Sequence, residues 1–248
     1  MVSRKNTPMN KSLSCLLLSF ICLFGLSCNA QKQSNKAEYT YKNPSYDGIG
    51  KVYMGREISF VMGFAGLDWL ERDTREQEES VRLAIENLPV NSSSVVADIG
   101  AGSGYYTFRI APKVPDGKVY AVEIQDEAIQ YLKDQSKTLG FDNVIPILGS
   151  EKSPNLPANA IDLVIMVDVY HELEFPHEML TAIKQSLKPD GKVLLIEYRG
   201  EDPTVPIKPL HKMTVKQARK EMEANGFKLI DNGQFMRIQH FLVFGKAD

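Results

Sequence analysis

At residues 95–104 an apolar, β-branched run, Val95-Val96-Ala97-Asp98-Ile99, passes without a break into Gly100-Ala101-Gly102-Ser103-Gly104. Glycines at such a place let the backbone turn tightly and let a ligand come close, because no Cβ intervenes. If a helix follows, its free N–H groups face the same ligand. Strand, glycine loop and helix in that order belong to open sheets flanked by helices, so few architectures remain. The rest of the chain repeats the alternation. Runs at residues 118–124, 143–148, 161–167 and 192–198 are nearly continuous in apolar residues, as strands buried on both faces are. Helical patterning fills residues 105–111, 126–139 and 175–187. Residues 214–225 read as a helix closed by Gly226, and Asn232-Gly233 stands between runs at 227–231 and 236–245 as a hairpin signal. The expected fold class is α/β: a doubly wound, seven-stranded, mostly parallel sheet with a C-terminal antiparallel hairpin strand and helices on both faces.

The loop narrows the ligand. An acid, Glu123, lies 19 residues after Gly104 at the end of the second run, where a carboxylate can accept both ribose hydroxyls. A dinucleotide fingerprint needs glycine at position 105, which is Tyr105, and no Lys-Ser/Thr pair supplies a phosphate loop. The spacing is instead Gly-x-Gly-x-Gly, with Asp98 two residues ahead of the first glycine. On these residues the chain resembles the class I, Rossmann-like S-adenosylmethionine-dependent methyltransferases. Ile161-Asp162-Leu163-Val164 and Leu187-Lys188-Pro189-Asp190-Gly191-Lys192-Val193 extend the likeness over residues 94–245. The resemblance implies S-adenosyl-L-methionine as cofactor, with Gly100, Gly102 and Gly104 close to it. It implies that Asp98 supports the loop and the amino-acid end, and that Glu123, with Ile124 next to it, takes the ribose. Where the family has an acid after Gly149 this chain has Ser150, so Ser150 or Glu151 is expected at the adenine end.

Transfer from a sulfonium is an in-line displacement, and an enzyme chiefly aligns the acceptor and manages its proton. The acceptor belongs beyond the carboxyl ends of the strands. There Val167-Asp168-Val169-Tyr170-His171-Glu172 offers Asp168 for the cofactor's ammonium or the acceptor, His171 as proton acceptor and Tyr170 to shape the pocket. A plainer reading makes His171 a helix cap and Glu172 a solvated acid. Tyr53-Met54-Gly55-Arg56 and Trp69-Leu70-Glu71-Arg72 resemble lid segments, and Tyr198-Arg199 with Lys208-Pro209-Leu210-His211-Lys212 form the opposite wall. No metal site is expected.

Composition sets the partners. Residues 1–27 carry Arg4, Lys5 and Lys11 and no acid, which leaves the rest of the chain at a net charge of −5. So acidic a body lacks the broad basic footprint of nucleic-acid binders, though a local basic patch remains open. The expected partner is therefore a small-molecule methyl acceptor and no nucleic acid; oligomeric state is unknown. Cys15, Cys22 and Cys28 are the only cysteines, which excludes thiolate chemistry from the body. The apolar run over residues 13–26 is too short for a membrane span, which needs ~20 residues, and has the flanks of an export signal. It ends in Gly25-Leu26-Ser27-Cys28, which resembles a bacterial lipobox except for Gly25 where leucine is usual. The expected organisation is a signal peptide over 1–27 and a flexible tether over 28–50. An N-terminal helical lid over 51–90 and the cofactor-binding domain over 91–248 follow. The chain is expected to be exported and anchored to the membrane through lipidated Cys28. An exported domain meets its cofactor only if that metabolite reaches it, so the competing function is a membrane-tethered, non-catalytic binder of S-adenosylmethionine or S-adenosylhomocysteine. A nucleotide-dependent oxidoreductase fits less well, given Tyr105.

Overall fold

A computed structural model describes residues 39–247. The main sheet has seven strands in the order β6-β5-β4-β7-β8-β10-β9. These are β4 (Val95–Ile99), β5 (Lys118–Glu123), β6 (Val144–Leu148), β7 (Ile161–Val167), β8 (Leu187–Tyr198), β9 (Phe227–Gly233) and β10 (Gln239–Lys246). The first five run parallel, and β10 pairs antiparallel with both β8 and β9. Neighbours along a strand point to opposite faces, and here both faces are apolar. Val96, Leu163, Ile165, Leu194 and Ile196 pack on one side with α3 (Val81–Glu86) and α4 (Thr107–Ile110). On the other side Ala97, Val164, Met166, Val193 and Leu195 pack against α6 (Pro176–Ser186) and α7 (Val215–Ala224). Burial on both faces is the reason these runs read as continuously apolar. Helix α5 (Asp126–Leu139) follows β5 and ends at Gly140 with φ +71°, while Thr214 caps α7 by accepting from Gln217 N–H.

Several local details differ from the sequence reading. Residues 39–59, expected as tether and helical lid, instead form a three-stranded antiparallel sheet of β1 (Tyr39–Tyr41), β2 (Gly48–Tyr53) and β3 (Arg56–Ser59). Met54 and Gly55 both have positive φ, the two-residue hairpin geometry that suits twisted strands. The helical lid expected over 51–90 is likewise not continuous. Ser80, at φ +56°, separates α2 (Arg75–Glu79) from α3, and the break turns Glu79 inward to Arg75 and the Tyr198 hydroxyl. A short helix, α1 (Leu67–Leu70), precedes them. Asn232-Gly233 lies within β9 rather than at the hairpin tip, which falls at residues 234–238.

The small sheet is fixed to the main body by a buried ion pair. Arg56 Nε and Nη2 donate to the two oxygens of Glu221 on α7 at 2.8 and 2.9 Å, and Arg56 Nη1 donates to the His171 carbonyl at 2.7 Å. Tyr170 and Gln217 also donate to Glu221, which is wholly buried. Removing one partner of such a pair leaves an uncompensated buried charge, at a cost of about 3–5 kcal/mol. Glu221→Ala should therefore lower unfolding free energy by roughly that amount in urea titration; an unchanged midpoint would show that Arg56 finds solvent without unfolding.

Candidate active site

The strands β4, β5, β7 and β8 are parallel, so their carboxyl ends share one edge, and the site is built there. Beyond Ile99 the chain turns at Gly100, φ +70°, and the N–H groups of Gly100 and Ala101 donate to the Val122 carbonyl at 2.9 and 3.0 Å. A Cβ on Gly100 would stand 2.6 Å from Val169 Cγ2, and one on Gly102 would stand 2.9 Å from Leu70 Cδ1. These two glycines border the cleft. Gly104 serves another purpose: its Cβ would strike the Phe108 ring at 2.4 Å, so its bareness lets the loop pack on the core.

Three hollows that share lining residues follow that edge. One of about 90 Å³ is lined by Ile99, Val122, Glu123, Ile124, Ser150 and Glu151. The next, about 60 Å³, is lined by Gly100, Gly102, Glu123, Asp168, Gln125 and Arg75. Glu123 faces both, and its Oε2 accepts from the N–H groups of Ile124 and Gln125 at 2.9 and 3.2 Å. Burial raises its pKa above the usual carboxylate range despite those bonds. The third hollow, about 600 Å³, is lined by Phe60, Trp69, Asp168, His171, Glu172 and His211 among others. Glu172 borders all three. Burial raises it to about 7, and its Oε2 accepts from Met62 N–H at 3.1 Å.

The polar groups around the middle hollow test whether a sulfonium amino acid fits. Asp168 Oδ1 is shielded from solvent and without a partner, while Oδ2 accepts from Gln239 Nε2 at 2.7 Å. Asp168 holds φ +53°, and burial, reinforced by Glu79 and Glu197, pushes its pKa well up. Ser103 Oγ and the Tyr106 hydroxyl are also buried without partners, beside Arg75 in a small recess that includes Asp98. One free acid oxygen, two free hydroxyls and a guanidinium suit an ammonium and a carboxylate together. The residues fit the cofactor: Asp168 and Arg75 would hold its amino-acid end, Glu123 its ribose, and Ile124, Ser150 and Glu151 its base. Asp98 stands behind them. It is buried, accepts from Thr107 Oγ1 at 2.6 Å, and burial raises it to about 7.

Beside the third hollow, Val169 passes into a short 3₁₀ turn, Tyr170–Glu172, which turns its side chains in different directions. Tyr170, expected to shape the pocket, is wholly buried away from it, its hydroxyl on Glu221 at 2.9 Å. His171 does reach the cavity. Its Nδ1 lies 2.7 Å from Glu197 Oε2 and its Nε2 lies 3.2 Å from His211 Nδ1. Glu197 Oε1 is occupied by Tyr170 N–H at 2.8 Å. The network therefore assigns a proton to Nδ1 and turns Nε2 to the cavity. Burial pulls the His171 pKa down, but the Glu197 carboxylate outweighs it and the net direction is up. Burial, then the His171 charge, lowers His211 to about 4.

Arg75 and Glu197 were not singled out from sequence. Arg75 lies in a charged helix, where it looks like surface; it is nearly fully buried, with its guanidinium 4.3 Å from the Tyr105 ring centre. Glu197 is the one acid in the apolar run at 192–198, and that placement is the signal that could have found it. The segment Tyr53-Met54-Gly55-Arg56 is not a lid, since Arg56 is tied to α7. Trp69 and Leu70 of the second lid segment do border the cleft.

This sheet order, with a glycine cradle and an acid-lined cleft at its carboxyl edge, defines a class: the S-adenosylmethionine-dependent methyltransferases. The chain belongs to the methyltransferase domain family whose model matches residues 90–241. It is 30% identical over 172 residues to the tRNA(Phe) (4-demethylwyosine(37)-C(7)) aminocarboxypropyltransferase of Methanocaldococcus jannaschii, covering 69% of this chain and 62% of that protein. It is 28% identical over 173 residues to the fibrillarin-like rRNA/tRNA 2'-O-methyltransferase of Methanococcus voltae, covering 67% and 72% respectively. In fold it is similar to a SAM dependent methyltransferase from Aquifex aeolicus, with a TM-score of 0.71 at 21% identity over 75% of this chain and all of that one.

These relatives correct two expectations. Nucleic acid was excluded on net charge, yet the matched relatives are named for tRNA and rRNA. Net charge averages over a whole surface and does not report one binding face, so the exclusion, and the small-molecule acceptor inferred from it, are withdrawn. The assignment as an exported, membrane-anchored lipoprotein is withdrawn as well. The two relatives above are named as a tRNA(Phe) aminocarboxypropyltransferase and an rRNA/tRNA 2'-O-methyltransferase, and no helix among the described residues is long and apolar enough to cross a membrane. Cys28 and the apolar run lie outside the described residues.

The cleft makes a direct prediction. Glu123→Ala should weaken S-adenosylmethionine binding by roughly 1.5–3 kcal/mol, the scale of hydrogen bonds to a charged group. Calorimetry that returned wild-type affinity from a folded variant would remove Glu123 from the site.

Proposed function

We propose that the protein transfers a methyl group from S-adenosylmethionine to a nucleophile on a single nucleoside presented by an RNA. The observation that carries this reading is the cavity of about 600 Å³ that opens from Asp168 and the cofactor cleft. Its walls include Tyr46, Phe60, Trp69 and Tyr198, with Lys208 beside them. Tyr46, Phe60 and Trp69 are exposed. Exposed aromatic faces stack a splayed base, and a lysine beside them meets a phosphate; single-stranded RNA is recognised in this way. The names of the relatives support the same class of acceptor.

Bound cofactor supplies the electrophilic methyl group. The chain's own task is then to hold the acceptor in line and to remove its proton. The His171–Glu197 pair governs that removal: Glu197 fixes the ring, and Nε2 meets the cavity. A general-base contribution of this kind is worth about 10²–10⁴ in turnover.

Incubation with labelled donor and either total RNA or a panel of free phenols and amines tests the acceptor. Ribonuclease-sensitive label is expected. Label confined to the free compounds would contradict the RNA reading, and full cofactor binding with no transfer to either would contradict catalysis. On the acceptor so found, His171→Ala should cut turnover by about 10²–10⁴ and leave cofactor affinity nearly unchanged. Because the Glu197 carboxylate raises His171, wild-type turnover should rise with pH through a value above the ordinary imidazole range of ~6.5. The variant should lose that acid limb; a variant with unchanged turnover and the same profile would take His171 out of the reaction.

A further inference from the structure

The acceptor cavity is lined by His171, His211 and Glu172, the last shared with the methyl-donor cleft. His171 Nε2 and His211 Nδ1 face each other at 3.2 Å. Together with a carboxylate oxygen of Glu172, all three donor atoms lie within 4.8 Å of one another. We propose that His171, Glu172 and His211 bind one divalent transition-metal ion, on which the acceptor's oxygen or nitrogen is seated. The proposal rests on the reading of this cavity as the acceptor site.

Three features of the geometry support it. At a metal–nitrogen distance of about 2.0–2.1 Å, ligands set about 90–109° apart lie roughly 2.8–3.4 Å from each other, which brackets the spacing of the two histidine nitrogens. The outer shell is already built. His171 Nδ1 is 2.7 Å from Glu197 Oε2, and Glu197 is wholly buried with its other oxygen on Tyr170 N–H. A carboxylate behind a histidine is the usual support for a metal-binding imidazole, because it fixes the tautomer and makes the far nitrogen a better donor. The ligands also come from separately anchored elements. The His171 carbonyl is held by Arg56 at 2.7 Å. The His211 segment is held by Leu210 N–H on Asp47 Oδ2 at 3.2 Å and by Met213 N–H on the Tyr198 carbonyl at 2.9 Å. Two imidazoles and one carboxylate on one side of a cavity leave the other positions open, a pattern that suits zinc, iron, cobalt or manganese in the divalent state rather than magnesium or calcium.

An ion there lowers the pKa of a coordinated hydroxyl and orients it. The acceptor O–H or N–H releases its proton to solvent, and the electron pair left on that atom forms the new bond to the methyl carbon. The carbon–sulfur pair stays on sulfur, which becomes a neutral thioether. With the ion bound, this replaces direct proton uptake by His171: its Nε2 lone pair is committed to coordination, and the acid limb of turnover follows the coordinated O–H or N–H instead.

Tag-free full-length protein, stripped with chelator and titrated with Co²⁺, tests the site by its visible d–d absorption and by equilibrium dialysis. One Co²⁺ per chain is expected, displaced by Zn²⁺. His171→Ala, His211→Ala and Glu172→Gln should each weaken binding by at least about tenfold, and Glu197→Gln by about 10–100-fold through the outer shell. His177→Ala, on a helix away from the cavity and bonded to Asn225, should bind as the wild type does. Wild-type Co²⁺ binding in His211→Ala, or no Co²⁺ bound by wild-type protein, would overturn the proposal. Calorimetry with S-adenosylmethionine on the same preparations separates the two readings: intact cofactor binding without Co²⁺ removes the metal alone, whereas loss of cofactor binding in the wild type removes the methyltransferase reading.

Discussion

Three acids stand at the carboxyl ends of three adjacent strands: Asp98 on β4, Asp168 just past β7 and Glu197 on β8. Charges taken from water are costly unless paired or neutralised, and the site is the set of solutions to that problem. Asp98 is pushed to about 7, so it keeps its proton over much of the acid range, and Thr107 bonds it. Glu197 spends one oxygen on a backbone N–H and the other on His171. Asp168 is met on one oxygen by the amide of Gln239 and keeps the other bare. A bare, shielded acid oxygen next to the glycine loop is a place for a cation, and a sulfonium amino acid carries one.

The same bookkeeping explains the charged helix before the sheet. Arg75 is buried against Tyr105, pairs with Glu79 at 2.9 Å and donates to the Leu70 carbonyl at 2.8 Å. Glu79 in turn accepts from the Tyr198 hydroxyl at 2.7 Å. One arginine thus balances the acid edge and ties α2 to β8, while the break at Ser80 lets α3 turn its apolar face to the sheet. On the opposite side Arg56 does the equivalent for Glu221 and the His171 turn. Positioning of the acceptor side therefore depends on the small N-terminal sheet as well as on the Rossmann-like core.

What could be read from sequence follows from what is local. The glycine loop, the five parallel strands and α5, α6 and α7 each carry their own signal in apolar periodicity and caps. Residues 39–59 do not. Their strands are short and polar, and their burial comes from Lys51 over the Phe175 ring, Tyr39 on Glu178 and Arg56 on Glu221, all contacts to residues more than a hundred positions away. Asn232-Gly233 has the composition of a turn, yet β9 continues through it, with an irregularity in its register opposite Val243 and Phe244. Glu123 and Asp168 were legible as cleft-lining residues because the carboxyl ends of the parallel strands form one edge. Glu197 and His211 were less so, since each gains its meaning from His171, a residue on another element. Tyr170 was misplaced for the same reason: in a 3₁₀ turn, neighbouring side chains diverge, and spacing alone does not say which one faces the cavity.

The central claim is that the acid edge of β4, β7 and β8 receives the charged end of the cofactor and leaves the larger cavity for the acceptor. A crystal structure of the protein with S-adenosylhomocysteine tests it most directly. The ribose is expected on Glu123, the ammonium on Asp168 Oδ1 and the carboxylate toward Arg75, with the cavity beside His171 free of any part of the nucleoside. An adenosine seated among Phe60, Trp69 and His171 instead, with Glu123 and Asp168 untouched, would contradict it.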